Sequence, residues 1–280
     1  MEQVQTPRQA DPRRPGRRAY FLITLFVVLL VLFPFLFWHG TWFGRRLSNQ
    51  EIESYLTNFR DKPRPAQHAL TQIGERLSRG DLSVRRWYPK VVEATSSSSL
   101  ELRQTAAWIM GQDHTYEPFH DALRKLLQDD PSLMVRRNAA LSLSNFHDDA
   151  ARPELRAMLH SSTISSPSAG IVKFRLKEGE YVNPGTLVAR VGDFEVRSQL
   201  PGEVRELHAR DGSQVHAGDA LADISADKEH VWEALRALYT IGRSDDSEYV
   251  QRYIRGVPGM PEKVQQQASL TLQAIRSRAN

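Results

Sequence analysis

Apolar positions recur at helical spacing from Ser48 to His160. Leu102 is followed by Ala106, Ala107 and Ile109, and Val135 by Ala139, Ala140 and Leu143, the three- and four-residue steps of a helix face packed on another helix. These two runs lie 33 residues apart, and each leads through a polar turn into a second short helical pattern, YEPFHDALRKLLQ after the first and ARPELRAMLH after the second. A helix pair repeated at such a period predicts an α-solenoid, because one unit buries its apolar face only by stacking on the next. The pattern resumes near the C-terminus, where Ala234 and Leu235 stand in the places of Ala139 and Ala140, and Val264 leads to Ala268 as Val135 leads to Ala139.

Between these helical stretches, from Ser166 to Ser225, the period changes to two and the chain repeats itself. Gly170-Ile171-Val172 followed by Gly179, Val182, Gly185, Val188 and Val191 returns as Gly202-Glu203-Val204 followed by Gly212, Val215, Gly218, Leu221 and Ile224. The offset is 32 residues at the first glycine and 33 from the second onward. Short alternating runs with glycine, Asn-Pro-Gly or Ala-Gly-Asp at the corners predict short strands joined by tight turns. One copy has a single apolar face and cannot bury it alone, so the two copies are expected to close on each other. Gly170 and Gly202 are expected to hold equivalent structural positions with a positive φ or a close approach. With the β stretch removed, the helical units on either side fall about one repeat length apart, so the β stretch reads as an insertion into a solenoid turn.

Two resemblances follow from these residues. The helical units resemble HEAT-like repeats. SPSAGIVKFRLKEGEYVNPGTLVARV followed by LPGEVRELHARDGSQVHAGDALADI resembles the biotinyl/lipoyl domain and the lipoyl-like domains of periplasmic membrane fusion proteins. That resemblance implies a flattened barrel-sandwich of two interlocking half-motifs, and in its carrier members one modified lysine at the hairpin between the halves. Here the hairpin ARVGDFEVRS, Ala189 to Ser198, contains no lysine. Lys228 in DISADKEHV lies in a sequence like that around a modified lysine, but a helical pattern follows it. Lys228 is therefore placed in the first turn of a helix capped by Ser225 or Asp227, and a biotin or lipoate carrier modified at Lys228 or another lysine is the alternative reading. Membrane fusion proteins insert a long helical hairpin between the half-motifs, whereas only Gly192-Asp193 stands there in this chain.

The N-terminal region changes the picture of location. Ala19 to Trp38 has no charged residue, and 20 residues of helix at about 1.5 Å each match a hydrocarbon core of about 30 Å. Its 15 Leu, Ile, Val and Phe residues contribute on the order of −6 kcal/mol toward insertion, enough to outweigh Thr24 and Pro34. Tyr20 at one end and Trp38 and Trp42 at the other suit the headgroup region. Arg8, Arg13, Arg14, Arg17 and Arg18 precede the run, while Arg45 and Arg46 follow; this bias keeps the N-terminus in the cytoplasm. A cleaved signal peptide would be shorter and would end in a small-residue site, which does not follow here.

Composition adds exclusions. The chain has 280 residues, a net charge of +4 and no cysteine, which removes disulfides, thiol catalysis and cysteine metal sites and gives no polybasic surface for nucleic acid. The histidines form no His-x-x-x-His pair, and no Gly-x-Ser-x-Gly elbow, phosphate loop or dinucleotide fingerprint occurs. The acidic pairs Asp129-Asp130, Asp148-Asp149 and Asp245-Asp246 are expected to cap the helices that follow them rather than to bind a cation. His114, Tyr116 and Phe119 are expected to pack within the solenoid. Lys173, Arg175, Lys177, Arg190, Arg197, Arg205 and Arg210 are expected on the outer faces of the strands.

The sequence therefore predicts a multidomain α plus β protein: a disordered cytoplasmic tail over 1–18, a single transmembrane helix over 19–42, HEAT-like helical repeats over 48–160, a lipoyl-like β domain over 161–226, and HEAT-like repeats again over 227–280. No catalytic, cofactor-binding or metal-ligating set is expected, and no cofactor. The expected role is a non-catalytic adaptor in a bacterial inner membrane, single-pass, with its bulk in the periplasm. Its expected partners are the lipid bilayer and a transport, secretion or polysaccharide-export complex, with a homo-oligomer left open and no nucleic acid.

Overall fold

The computed structural model describes residues 24–35 and 45–279. Residues 24–35 form helix α1, whose leucine, valine and phenylalanine side chains are exposed. Among the described residues no helix is long and apolar enough to cross a membrane; the flanks of the expected span, 19–23 and 36–42, and the tail over 1–18 lie outside the described residues. From Asn49 onward the chain forms a compact unit of its own.

Ten helices of that unit are α2 (Asn49–Thr57), α3 (Pro63–Ser78), α4 (Tyr88–Ala94), α5 (Leu100–Met110), α6 (Glu117–Asp129), α7 (Leu133–Ser144), α8 (Arg152–Ala157), α9 (Lys228–Ile241), α10 (Ser247–Ile254) and α11 (Glu262–Ala279). Proline in the first turn starts α3, α4, α6 and α8, where its missing N–H leaves no helical bond unmade. Helices α3, α5, α7, α9 and α11 pack in one row, each on the next, and the shorter helices pack against that row. The contacts fall where the period placed them: Leu102, Ala106, Ala107, Ile109, Val135, Ala139, Ala140, Ala234 and Ala268 are fully buried, and the alanines let helix axes approach closely. The row also carries a repeated polar tie. Ser142 Oγ donates to the Ala107 carbonyl at 2.8 Å, and Thr271 Oγ1, as far from its helix start as Ser142 is, donates to the Leu235 carbonyl at 2.8 Å. His114, Tyr116 and Phe119 do pack within this region: Phe119 is fully buried against Tyr88, with ring centroids 4.4 Å apart, and the His114 ring meets Phe146 edge-on.

Between α8 and α9 the chain leaves the row for eight strands: β1 (Ser162–Ser165), β2 (Gly170–Phe174), β3 (Tyr181–Val182), β4 (Leu187–Val191), β5 (Phe194–Arg197), β6 (Gly202–Leu207), β7 (Gln214–Val215) and β8 (Ala220–Ile224). They form two antiparallel four-stranded sheets, ordered β1-β8-β6-β3 and β5-β4-β2-β7. Replacing each of β1–β4 by its counterpart among β5–β8 turns one order into the other, so the doubled sequence folds with a pseudo-twofold. The halves interlock through their shortest strands, β3 pairing with β6 and β7 with β2. One apolar cluster, Val172, Ala189, Val191, Val196, Val215 and Leu221, draws on both sheets, which is how two one-faced sheets bury their apolar sides. Lys173, Arg175, Lys177, Arg190, Arg197, Arg205 and Arg210 are all exposed, although Arg190 and Arg197 pair with Glu195.

The two glycines meet the expectation by different means, and the acidic pairs depart from theirs. Gly170 and Gly202 are equivalent in register, facing Val215 and Val182, but only Gly202 has a positive φ, +155°. A Cβ at Gly202 would lie 2.3 Å from the Ser225 carbonyl oxygen, whereas one at Gly170 would approach Gly192 N at 3.1 Å. The acidic pairs do more than cap helices. Asp148 does accept from the Ala150 N–H, but α7 is entered through Ser132, not capped by Asp130. The buried carboxylates Asp130, Asp148 and Asp246 chiefly receive arginines: Arg103 for Asp130, Arg124 for Asp148, and Arg152 and Arg156 for Asp246.

The junction between strands and helices is polar. Asp227 caps α9 by accepting from the Glu229 and His230 N–H groups, and it also receives the Tyr181 hydroxyl from β3 at 2.7 Å. Burial pushes the Tyr181 hydroxyl up to about 12, and the Asp227 carboxylate adds to the shift. Next to it, buried Arg137 of α7 faces Glu154 of α8 at 3.4 Å. Tyr253 Oη of α10 donates to the Leu159 carbonyl just before β1.

Candidate functional site

Exposed apolar side chains gather on the open side of the long helix row. A cavity of about 560 Å³ is lined by α5, α7, α9 and α11, among them Trp108, Leu141, Tyr239 and Leu270. Trp108, Tyr239 and Leu270 are 46%, 49% and 52% exposed. Helices in contact lie about 8–10 Å apart, so a flat row would separate α5 from α11 by about 25–30 Å. One cavity touched by both requires the row to curve around it. Such a concave surface is what a stack of repeats with a small rotation per unit produces.

The groove is held in shape from beneath. Gly74 of α3 has no side chain because the Trp108 indole lies over it; a Cβ there would come within 2.2 Å of Trp108 Cζ3. At the end of α5, Gly111 lets Ser142 of α7 approach, and Asn145 Nδ2 donates to the Gly111 carbonyl at 2.9 Å. The next residue, Gln112, lines the groove with both its side-chain nitrogen and oxygen buried and without a hydrogen-bond partner. An amide withheld from water and left unpaired is destabilising, and being closed to water these two atoms are equally closed to anything seated in the groove.

Charge enters from α9. Glu233 and Arg236 both line the groove. Desolvation by the surrounding walls raises the Glu233 pKa, and the Glu229 charge raises it further against the opposing pull of Arg236. The Arg236 guanidinium lies over the Trp232 ring, 4.8 Å from its centroid, and Lys263 Nζ lies 5.1 Å from the same ring while pairing with Glu229 at 2.7 Å. Both cations also act on Glu233, lowering its pKa against the burial, so the groove carries an acid and a base side by side.

Among the described residues two groups have metal-ligand atoms close together, Glu206 with His208 and Asp223, and Glu117 with His120 and Asp121. Asp223 already receives Thr163 Oγ1 at 2.6 Å and has His208 Nε2 at 3.2 Å. His120 lies 2.9 Å from Asp148 and stacks on Phe146. Both groups are accounted for by these contacts. Lys228 is the first residue of α9, behind the Asp227 cap, and the turn between β4 and β5 is Gly192-Asp193, with no lysine.

Trp108, Gln112, Tyr239 and Leu270 were not marked by the motifs of the sequence. A signal existed: Trp108 and Tyr239 are large aromatics standing just off the buried stripe of their helices, next to Ala107 and Leu238.

Residues 88–166 match the family model for HEAT repeats, so the helices within that stretch are HEAT-like. An 80-residue stretch is 35% identical to the "Uncharacterized protein YqeB" of Escherichia coli strain K12; the match takes in 27% of this chain and 15% of that protein. The chain thus spans only a small part of the curated relative's length. Among solved structures, the complex of CpcE and CpcF of phycocyanin lyase from Nostoc sp. PCC7120 aligns with a TM-score of 0.46 at 16% identity, covering 85% of this chain and 68% of that one.

Proposed function

We propose that the protein is a non-catalytic adaptor, anchored in a bacterial inner membrane by the apolar run within 19–42, that holds a HEAT-like scaffold and a lipoyl-like β module on the periplasmic side. The observation that carries this reading is the concave groove, where the helix row exposes aromatic and aliphatic side chains across four helices. Exposed apolar groups gathered in one concavity mark an interaction site. The doubled half-motif with its exchanged strands supports the lipoyl-like reading, and the missing hairpin lysine supports adaptor over carrier. In this reading the partner is a membrane complex of a transport, secretion or polysaccharide-export system.

The test has two parts. Alkaline phosphatase fused at the C-terminus should be active, and a cytosolic reporter at the same place inactive. The detergent-solubilised full chain should co-purify a defined set of membrane proteins. An inactive phosphatase fusion would remove the periplasmic placement, and co-purification of no membrane protein would remove the adaptor role.

A further inference from the structure

We propose that the junction between the helices and the strands is a proton-operated hinge: with His230 neutral the β module is held on the solenoid, and a second proton on the His230 ring releases it. The inference goes beyond the adaptor reading and does not depend on it, since all its residues lie in the unit from Asn49 onward.

The β module is held narrowly. The chain crosses between α8 and β1 and again between β8 and α9, and among the described residues no strand packs along a helix. The polar ties across the junction are single contacts: the Tyr181 hydroxyl to Asp227 at 2.7 Å, the Tyr253 hydroxyl to the Leu159 carbonyl at 2.7 Å, and Arg205 Nη2 to the Pro258 carbonyl at 3.4 Å. The first of these is continuous with His230. Asp227 takes Tyr181 on Oδ2 and the Glu229 and His230 backbone N–H groups on Oδ1. A movement of His230 out of the first turn of α9 therefore loosens the carboxylate that holds β3.

His230 has no place for a second proton. Its Nδ1 is sealed from solvent without a hydrogen-bond partner. The neutral ring can leave that nitrogen a bare acceptor, whereas the imidazolium carries N–H on both nitrogens and leaves a buried donor unpaired. The neighbours do not compensate. Helix α7 brings Arg137, whose Nε is itself buried and unpaired, with Arg136 next to it. Helix α8 brings Glu154, whose sealed Oε1 faces Arg137 Nε at 3.4 Å, and Arg152 and Arg156, which Asp246 takes. Helix α11 brings Glu262 and Lys263, bonded to Gln266 and Glu229, and on α9 itself Glu229 and Glu233 flank the ring in sequence. Burial, and then the Arg137 charge, hold the His230 pKa below the ordinary histidine value against the pull of Asp227. A group depressed in this way supports the closed junction above the ordinary value of 6.5 and withdraws that support as pH falls through the depressed value.

The chain has no cysteine, so spin labels on two introduced ones, Asp193→Cys in the β4–β5 turn and Lys125→Cys on α6, report the spacing of β module and solenoid in the full chain in detergent. Lowering the pH from about 7.5 to about 4.5 brackets the histidine range. It leaves Asp113 and Asp148 ionised, since both are held at about 2. Double electron–electron resonance should show one narrow distance at the upper pH that gives way to a broad distribution, the closed-to-open ratio falling by at most about tenfold per pH unit, the slope of one proton. His230→Gln does not titrate; it should melt as wild type at the upper pH and keep the narrow distance throughout. In the wild type itself the His230 ring resonance should titrate below 6.5 and at the pH where the distance changes, a comparison that stands even where the variant fails to fold. A wild-type distance unchanged over the range would mean that the junction, Glu154 Oε1 included, accommodates the imidazolium, and would overturn the inference. The same broadening in His230→Gln would overturn it too, as would a ring titration separated from the distance change.

Discussion

Arg103 donates from Nε and Nη2 to the two carboxylate oxygens of Asp130, at 2.7 and 3.2 Å, and so ties α5 to the turn before α7. The arrangement recurs along the solenoid. Arg124 reaches both oxygens of Asp148 in the same way, while Arg85 reaches one oxygen of Asp113 and the Thr115 hydroxyl, and the aspartates Asp130, Asp113 and Asp148 also accept from the backbone N–H two residues on, at Ser132, Thr115 and Ala150. The aspartate fixes the turn, and an arginine from an earlier helical segment of the row fixes the aspartate.

Removing one partner leaves the other charge uncompensated. Asp130 and Arg103 have side-chain exposures of 3% and 13%, and Arg103 keeps bonds to the Ser97 and Ser98 carbonyls. Asp130→Ala is therefore expected to destabilise the helical region by about 3 kcal/mol, the low end for a broken buried pair. Urea unfolding followed by far-UV circular dichroism measures it, and a loss below about 0.5 kcal/mol would place the pair among surface ion pairs of little energetic weight.

Two of these carboxylates, Asp113 and Asp148, set an acid limit. Burial pushes Asp113 and Asp148 up, but hydrogen bonds from Thr115, Tyr88 and Arg85 in one case, and from Arg124, Ala150 and His120 in the other, outweigh it and hold both at about 2. A folded value below the unfolded value of about 3.9 means the unfolded state binds protons more readily as pH falls. The stabilisation is then complete above about pH 4 and lost as pH falls through about 2. Melting temperature measured from pH 5 to pH 2 should drop across that window, and Asp148→Asn should drop less than wild type because one such group is gone. Parallel curves for the two proteins would contradict the assignment.

The two equivalent glycines should respond differently to alanine. At Gly202 the added carbon meets the Ser225 carbonyl oxygen at 2.3 Å with φ at +155°, while at Gly170 the nearest atoms are at 3.1 Å. Gly202→Ala is expected to cost at least about 1–3 kcal/mol in backbone strain alone and to open the β module to protease. Gly170→Ala should keep a protease-resistant module. Equal sensitivity of the two variants would show that the close approach at Gly202 is relieved by a small shift.

The solenoid should survive without its insertion. Helix α9 packs directly on α7 and α8, and Arg152 and Arg156 of α8 reach across the insertion in sequence to Asp246, the Arg152 Nε bond being 2.8 Å. Replacing residues 162–226 by a short Gly/Ser linker, with Asp227 kept to cap α9, should leave a cooperative helical melt, since lengthening or shortening an exposed loop changes closure entropy only slowly. A broad, non-cooperative transition would show that the β module braces the helices.

The repeated helix pairs and the doubled β motif were legible because they rest on local periods. Alanine at three- and four-residue steps and valine at two-residue steps record which side of a backbone is buried, whatever the element packs against. The turn between the half-motifs was legible for the same reason, as was Lys228 in the first turn of a helix. The arginine partners of Asp130, Asp148 and Asp246 were not, because an aspartate before a helix has the same sequence signature whether or not a distant guanidinium covers it. Gly170 and Gly202 could not be told apart either, since the oxygen that crowds Gly202 belongs to Ser225, just past the end of the neighbouring strand β8. The groove was the least legible of all. Trp108 and Tyr239 are single off-stripe residues on separate helices, and Gln112 is an ordinary polar residue after a helix end. Only the curvature accumulated over the helix row brings them to one concavity, because that curvature is a sum of small packing angles that no single segment encodes.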